Sequence, residues 1–324
     1  MNKAIPYVFF AAALVAIELI YFRIARYYKI LDHPNDRSLH QRPTIRGGGI
    51  IFPLTALLFF AFTSRPEGLF IFALILVSSI GFIDDIKSLG SAIRFVVQAV
   101  AFAIIFFIVD LSEIPYWLVA VMFIVAVGAI NTFNFMDGIN GITGAYSLVT
   151  LGSLLFVNLY IVHFTNSDFI EAIVLSVLVF GFFNFRKKAV CFAGDVGSLS
   201  IGFIILFLLI ELISVSGNYC VIIFLSVYGV DSILTIIHRL LRKENIFKPH
   251  KLHLFQELVN QHRIPHLMMS FIYAAVQTVI NAIVIMSFQE TVLFQTIVAL
   301  TILFLLGVSY LVIKSRFLPA TQPN

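Results

Sequence analysis

Three short stretches set carboxylates beside glycine or amide residues: "GFIDDIKSLGSAIR" with Asp84 and Asp85, "NTFNFMDGING" with Asp137, and "CFAGDVGSLS" with Asp195. Each abuts an uncharged run. An acid at mid-membrane costs about 2.5–3.5 kcal/mol on the insertion scale, so each needs water or a partner. Taken singly, each reads as an ordinary turn or helix cap. Taken together, converging carboxylates repel one another unless a cation sits among them. Mg²⁺ suits such a set, because it takes hard oxygen ligands and is usually bound through one or two carboxylates plus substrate phosphates. Gly138, Gly141, Gly194 and Gly197 permit positive φ and close backbone approach, which lets main-chain N–H groups face a phosphate.

Two further stretches are basic. "RIARYYKILDHPNDRSLHQRPTIRGGG" ends with Arg46 and three glycines against an apolar run, a place where guanidinium groups and bare backbone could hold an anionic headgroup. "HKLHLFQELV" alternates polar and apolar residues as a short interfacial helix would. It sets His250 and His253 on one side, next to Lys248 and Lys251, for a pyrophosphate contact or a proton carrier. Asp231 lies inside an apolar run, where an acid is a functional candidate by default and pairing with Arg239 or with the inner basic loops is its structural explanation. Cys191 and Cys220 stand at opposite ends of one apolar run, so neither a disulfide nor a thiolate metal site is expected.

The elements that must position these residues are membrane helices. The chain of 324 residues is 60% hydrophobic and 12% charged, which leaves no water-soluble domain of useful size. An all-α polytopic membrane protein is expected, forming one integral-membrane domain over residues 1–324. Eleven runs are candidate spans, near residues 4–22, 48–64, 68–83, 93–109, 115–132, 142–162, 169–185, 199–215, 219–237, 266–288 and 292–313. The first lacks a cleavage site before Arg23 and is read as a retained span. With alternating sides, all of the 21 Lys and Arg except Lys3 and Arg65 fall on one face. The positive-inside rule makes that face cytoplasmic, with the N-terminus outside and the C-terminus inside. Every candidate chemical loop is on it, and no nucleic-acid partner is expected.

In order, "DHPNDRSLHQRPTIRGGG", "DDIK", "NTFNFMDGINGITG", "FAGDVGS", "GVDSILTIIHR" and "HKLHLFQ" resemble the motifs of the polyprenyl-phosphate N-acetylhexosamine-1-phosphate transferases, the MraY and WecA type of glycosyltransferase family 4, over nearly the whole chain. The resemblance implies a cytoplasm-facing helical bundle in the bacterial plasma membrane. It would move a sugar-1-phosphate from a UDP-sugar to undecaprenyl phosphate and release UMP, opening a cell-envelope glycan pathway such as O-antigen synthesis. It implies Mg²⁺, with Mn²⁺ as a substitute, held by Asp195 and the amide oxygen of Asn134. Asp84 and Asp85 become the acidic pair at the lipid phosphate with Lys87 nearby, and Asp84 positions or deprotonates the nucleophile. Asp137, Gly138 and Asn140 fall on the nucleotide-sugar side with Asn131, and Phe192 becomes the ring that stacks on uracil. Arg46, His250 and His253 complete the substrate-binding set, and a homodimer is left open.

Two departures matter. "HKLHLFQ" lacks the run of three histidines of the muramoyl-pentapeptide branch, which points away from that branch, and position 140 is Asn where many relatives carry Asp. Two other classes compete. A transporter would place ionisable groups near the bilayer midplane, where only Glu18, Glu171 and Glu211 are scattered here. An intramembrane prenyltransferase would need a third Asp four residues after the first, and position 88 is Ser.

Overall fold

A computed structural model describes residues 4–33, 43–63, 67–246 and 250–317. Lys3, Arg37, Arg42, Arg65 and Lys248, which enter the charge argument above, lie outside the described residues. The helices are α1 (Ala4–Tyr27), α2 (Ile51–Phe62), α3 (Gly68–Ile86), α4 (Ser91–Ile108), α5 (Tyr116–Met136), α6 (Ile142–Tyr160), α7 (Ser167–Asn184), α8 (Gly194–Ser216), α9 (Ser226–Leu241), α10 (Leu254–His262), α11 (His266–Met286) and α12 (Val292–Phe317). Single 3₁₀ segments, Gly48–Ile50 and Tyr219–Leu225, lead into α2 and α9. A two-residue hairpin pairs β1 (Leu31–Asp32) with β2 (Thr44–Ile45), antiparallel, with Leu31 opposite Ile45.

The protein is a multi-pass membrane protein. Among the described residues, ten segments are long and apolar enough to cross a membrane. The exception among the eleven expected spans is the second. α2 has 12 residues, about 18 Å of helix, against a hydrocarbon core of roughly 30 Å. Its expected first turn is taken by the 3₁₀ segment, where the chain leaves the α-helical path to meet α8. The short helix expected in "HKLHLFQELV" is α10.

α8 is the axis of the bundle: 94% of its apolar window is buried, so a residue at its start is enclosed by neighbouring helices. Two close approaches fix that start. A Cβ on Gly49 would sit 2.3 Å from the Cα of Gly197, and one on Gly81 would sit 2.8 Å from the backbone of Asp195. Backbone therefore meets backbone where α3, the start of α2 and α8 converge, and no side chain fits at either glycine. Gly81 precedes Asp84 and Asp85 by about one helical turn, so this packing brings the acidic pair to the N-terminus of α8. The chain from Ile45 to Gly49 is laced to the approach to α8 by a parallel bridge between Ile45 and Cys191, and by Phe192 N–H to Ile45 O at 2.8 Å, Gly48 N–H to Phe192 O at 2.8 Å and Gly49 N–H to Ala193 O at 3.0 Å.

Both cysteines are free thiols. Of the scattered intramembrane acids, Glu18 is fully buried beside the Cys191 thiol, and Glu171 accepts the hydroxyl of Tyr7.

Candidate active site

The helix ends run further than the apolar pattern. Asp84 and Asp85 occupy the last turn of α3, Asn134 the last turn of α5, and Asp195 the first turn of α8. Helix geometry, rather than loop conformation, therefore sets where these side chains start.

Three carboxylates and two guanidinium groups alternate at this junction. Arg94 Nη1 lies 2.9 Å from Asp84 and 3.3 Å from Asp195. Arg46 Nε lies 2.6 Å from Asp85, and its Nη2 lies 3.4 Å from Asp195. The order is Asp84, Arg94, Asp195, Arg46, Asp85. Asp84, Asp85 and Asp195 converge as expected, whereas Asp137, the acid of the third stretch, makes no ion pair with this cluster and bonds Thr143; the arginines relieve the repulsion that convergence creates. With all three acids ionised, three negative charges against two positive leave the set one charge negative.

The three acids are not equivalent. Asp85 accepts from Arg46 and from the backbone N–H groups of Asp195 (2.9 Å) and Val196 (3.0 Å). It thereby caps the first turn of α8, whose N–H groups have no intrahelical acceptor. This corrects one expectation: the N–H groups that the "GDVGS" glycines were to turn toward a phosphate are taken at Asp195 and Val196 by a carboxylate of α3. Positive φ is found at Gly141 (85°) and Gly194 (71°) but not at Gly138 or Gly197. Gly138 instead lies under α10, where a Cβ would be 3.0 Å from Gln256 Nε2. Asp84 accepts from Leu89 N–H at 2.5 Å besides Arg94. Asp195 is the carboxylate with the longest guanidinium contacts, and the one freest to take another cation.

Among the described residues, no three His, Cys, Asp or Glu side chains form a closed metal cage. A divalent site here would rest on few protein oxygens and on the substrate, the arrangement usual for Mg²⁺. Asn134 suits this role: its Nδ2 donates to Ser198 Oγ at 3.1 Å, and Ser198 bonds back to Gly194 O. That holds the amide against the first turn of α8 and leaves its carbonyl oxygen as the end offered to a cation. The hard-oxygen donor set and its residual negative charge fit such an ion.

Asp137 stands just past α5 and accepts the hydroxyl of Thr143 at 2.6 Å. Burial pushes its pKa up to about 6 and the charge of Asp85 adds to this, whereas Thr143 and Arg46 pull it down. The folded state favours the protonated form. The stability this gives is complete below the ordinary value near 4 and is lost as the pH rises through about 6. An activity that needs the carboxylate therefore falls as the pH drops through about 6. Thr143→Val removes a donor to the charged form, so the acidic limb of a pH–rate profile should move up by about one unit. A limb that stays in place would show that Asp137 does not titrate in the reaction.

The remaining expected residues divide. Lys87 caps the end of α3, exposed, with no ion pair among the described residues. Asn131 is held inside the bundle, its Nδ2 donating to Gln98 Oε1 at 2.7 Å and to Val127 O. Asn140 donates to Arg186 O at 2.8 Å and Lys187 O at 3.4 Å, and Gly141 N–H donates to Asn184 Oδ1 at 2.7 Å. The amide at 140 thus tethers the loop after α7, a bond that an acceptor-only carboxylate could not make. Phe192 is half-buried in the segment laced to β2. His250 and His253 adjoin, with ring centroids 4.9 Å apart. Burial, with the charges of Arg239 and Lys314 among its neighbours, pushes His250 down to about 4, so it is an uncharged donor or acceptor at neutral pH. Asp231 does not pair with Arg239, which bonds Glu244, Asn245 O and Ile246 O instead.

Arg94 and Thr143 are the residues that reading the sequence missed. Arg94 sits ten residues after Asp84, in the first turn of the next helix, a spacing that lets a helical hairpin fold it back onto the acid.

Residues 68–213 match the family model described as glycosyl transferase family 4, a stretch running from α3 through most of α8 that includes all three acids of the cluster and Arg94. The chain is 26% identical over 259 residues to a probable undecaprenyl-phosphate N-acetylglucosaminyl 1-phosphate transferase of Bacillus subtilis, covering 73% of this chain and 72% of that one. It is 25% identical over 255 residues to an undecaprenyl-phosphate alpha-N-acetylglucosaminyl 1-phosphate transferase of Thermotoga maritima, covering 76% and 80%. With a phospho-N-acetylmuramoyl-pentapeptide-transferase of Enterococcus hirae it shares 32% identity over 189 residues, 48% of this chain and 57% of that relative. The residues of the cluster, their order along the chain and these similarities agree: over residues 68–213 the chain is similar to glycosyl transferase family 4.

Proposed function

We propose that this protein transfers a sugar-1-phosphate, of the N-acetylhexosamine kind, from a UDP-sugar to undecaprenyl phosphate, releasing UMP at the cytoplasmic face of a bacterial plasma membrane. The observation that carries the reading is the alternating cluster of Asp84, Arg94, Asp195, Arg46 and Asp85 at one end of an apolar bundle. Both substrates are anionic, so the obstacle to phosphoryl transfer is charge and positioning. The names of the Bacillus subtilis and Thermotoga maritima relatives support the undecaprenyl-phosphate acceptor.

In this mechanism an oxygen of the lipid phosphate attacks the β-phosphorus of the donor. The bond from that phosphorus to the bridging oxygen breaks, and UMP leaves with the oxygen. Asp195 and Asn134 would hold Mg²⁺, which neutralises the pyrophosphate and stabilises the departing UMP. Arg46, one-third exposed, and Arg94, one-quarter exposed, can turn toward phosphate oxygens as their contacts with Asp195 loosen. Asp84, fixed by Leu89 and Arg94, orients the nucleophile. Direct attack is preferred over a phosphosugar-aspartate intermediate, because Asp84 and Asp85 already spend their lone pairs on N–H donors and are poor nucleophiles. The spaced histidines of "HKLHLFQ" favour an amino-sugar donor over a pentapeptide-bearing one.

Purified protein with undecaprenyl phosphate, Mg²⁺ and a panel of UDP-sugars tests the proposal. UMP release with at least one UDP-N-acetylhexosamine, absent without the lipid, is expected. Release from none of them would overturn it.

A further inference from the structure

Asp231 takes no part in the mechanism above, yet it is the hub of a buried polar network. It is 3% exposed on α9. Its Oδ2 accepts from Tyr273 of α11 at 2.7 Å, and its Oδ1 accepts from Thr235 at 3.2 Å and from Leu254 N–H, at the start of α10, at 2.9 Å. The same Oδ1 lies 3.5 Å from Nδ1 of His253, the residue that begins α10. His253 is 2% exposed, and this Nδ1 has no other hydrogen-bond partner among the described residues.

A buried acid held by three donors does not move to meet an imidazole; the imidazole turns to it. The ring is held on its faces as well, with Phe135 6.3 Å away and Phe255 6.0 Å away, both near-parallel. Phe135 follows Asn134 in the last turn of α5, and Phe255 lies against Gly138, so this imidazole sits beside the segment that carries Asn134 and Asp137. Arg239, the cation nearest along α9, is engaged by Glu244 and two carbonyls. His250 is uncharged at neutral pH and does not draw the acid away. The two nitrogens of a neutral imidazole differ, and the partner of one decides what the other can do.

We infer that Asp231 is a positioning residue for His253: it holds the proton on Nδ1, which leaves the Nε2 lone pair to accept the proton of a P–OH group of a singly protonated substrate phosphate. The inference rests on the transferase reading for what Nε2 meets, and on geometry alone for the state of the ring. At 3.5 Å the pair is longer than a made hydrogen bond, as catalytic hydrogen bonds often are in a site without substrate.

The ring state is read by nitrogen NMR on full-length protein in detergent, with ¹⁵N-labelled histidine and the His253 signals identified by their loss in His253→Ala. At pH 8.5 the wild type is expected to show the Nδ1–H form. Asp231→Asn, which can offer an amide N–H to Nδ1, should move the ring to the Nε2–H form. In the transfer assay Asp231→Asn should lower kcat at least tenfold, with the KM for UDP-sugar within about twofold, and should change the rate less than about twofold in a His253→Ala background. Tyr273→Phe, which loosens the carboxylate and keeps its charge, should lower kcat about threefold in the wild type and not at all beside His253→Ala. It serves equally if Asp231→Asn does not fold. An unchanged tautomer, or substitutions whose effects multiply, would overturn the inference by showing that Asp231 only braces α10. A wild type with the Nδ1–H ring but no transfer would count against the proposed function and leave the ring assignment standing.

Discussion

Asp195→Asn is expected to lower sugar-1-phosphate transfer by at least about a hundredfold, the scale on which a preorganised electrostatic group acts in a dry site. The effect should be chemical rather than structural. Asp195 meets its arginines only at 3.4 Å and 3.3 Å, while Arg46 keeps Asp85 at 2.6 Å and Arg94 keeps Asp84 at 2.9 Å. The variant should therefore unfold within a few degrees of the wild type. Added Mg²⁺ should no longer raise its rate, because the substituted amide removes the charge that would hold the ion. Wild-type turnover with the usual Mg²⁺ response would remove Asp195 from the mechanism.

Asp85→Ala should fail in the opposite manner. The Asp85 side chain has no exposed surface, and it joins Arg46 to the N–H groups of Asp195 and Val196. Its removal leaves Arg46 with only its longer contact to Asp195, and two helix-terminal donors without an acceptor, where backbone meets backbone at Gly81 and Gly197. Breaking one partner of a buried pair costs about 3–5 kcal/mol. A thermal unfolding curve in detergent should fall markedly, and activity with it, because the start of α8 carries Asp195. An Asp85→Ala protein of unchanged stability would show that Gly49, Gly81 and Gly197 hold α8 without this cap.

The contrast between these two acids marks what the sequence could convey. Membrane helices are legible because runs of about twenty apolar residues have one low-cost solution in a bilayer. Their ends at the acidic cluster are not, because polar Asp84, Asn134 and Asp195 lie beyond the apolar run while the backbone remains helical. The second span looked long enough until Gly48–Ile50 proved to be a 3₁₀ turn serving the approach of Gly49 to Gly197.

Which residues gather was legible, since the acids share one face. How they divide the work was not. Arg46 and Asp195 are 149 residues apart, and their meeting depends on the bridge between Ile45 and Cys191, for which no local pattern exists. The inner basic loops supply His253 beside Asp231, whereas Arg239, the other expected partner, lies on the same helix as the acid. Eight residues, however, put about 12 Å between them along the axis, and each finds partners nearer at hand. Asn140 shows the same limit: its amide is spent on the carbonyls of Arg186 and Lys187, which the residue type permits and cannot announce.

In the proposed reaction phosphorus, not the sugar carbon, is the centre attacked. A UDP-N-acetylhexosamine labelled with ³²P at the β-phosphate, incubated with the protein, undecaprenyl phosphate and Mg²⁺, tests this most directly. The label is expected to move into the lipid phase in step with unlabelled UMP, one for one. Labelled UDP left in the water phase, with sugar but no added phosphorus on the lipid, would contradict it.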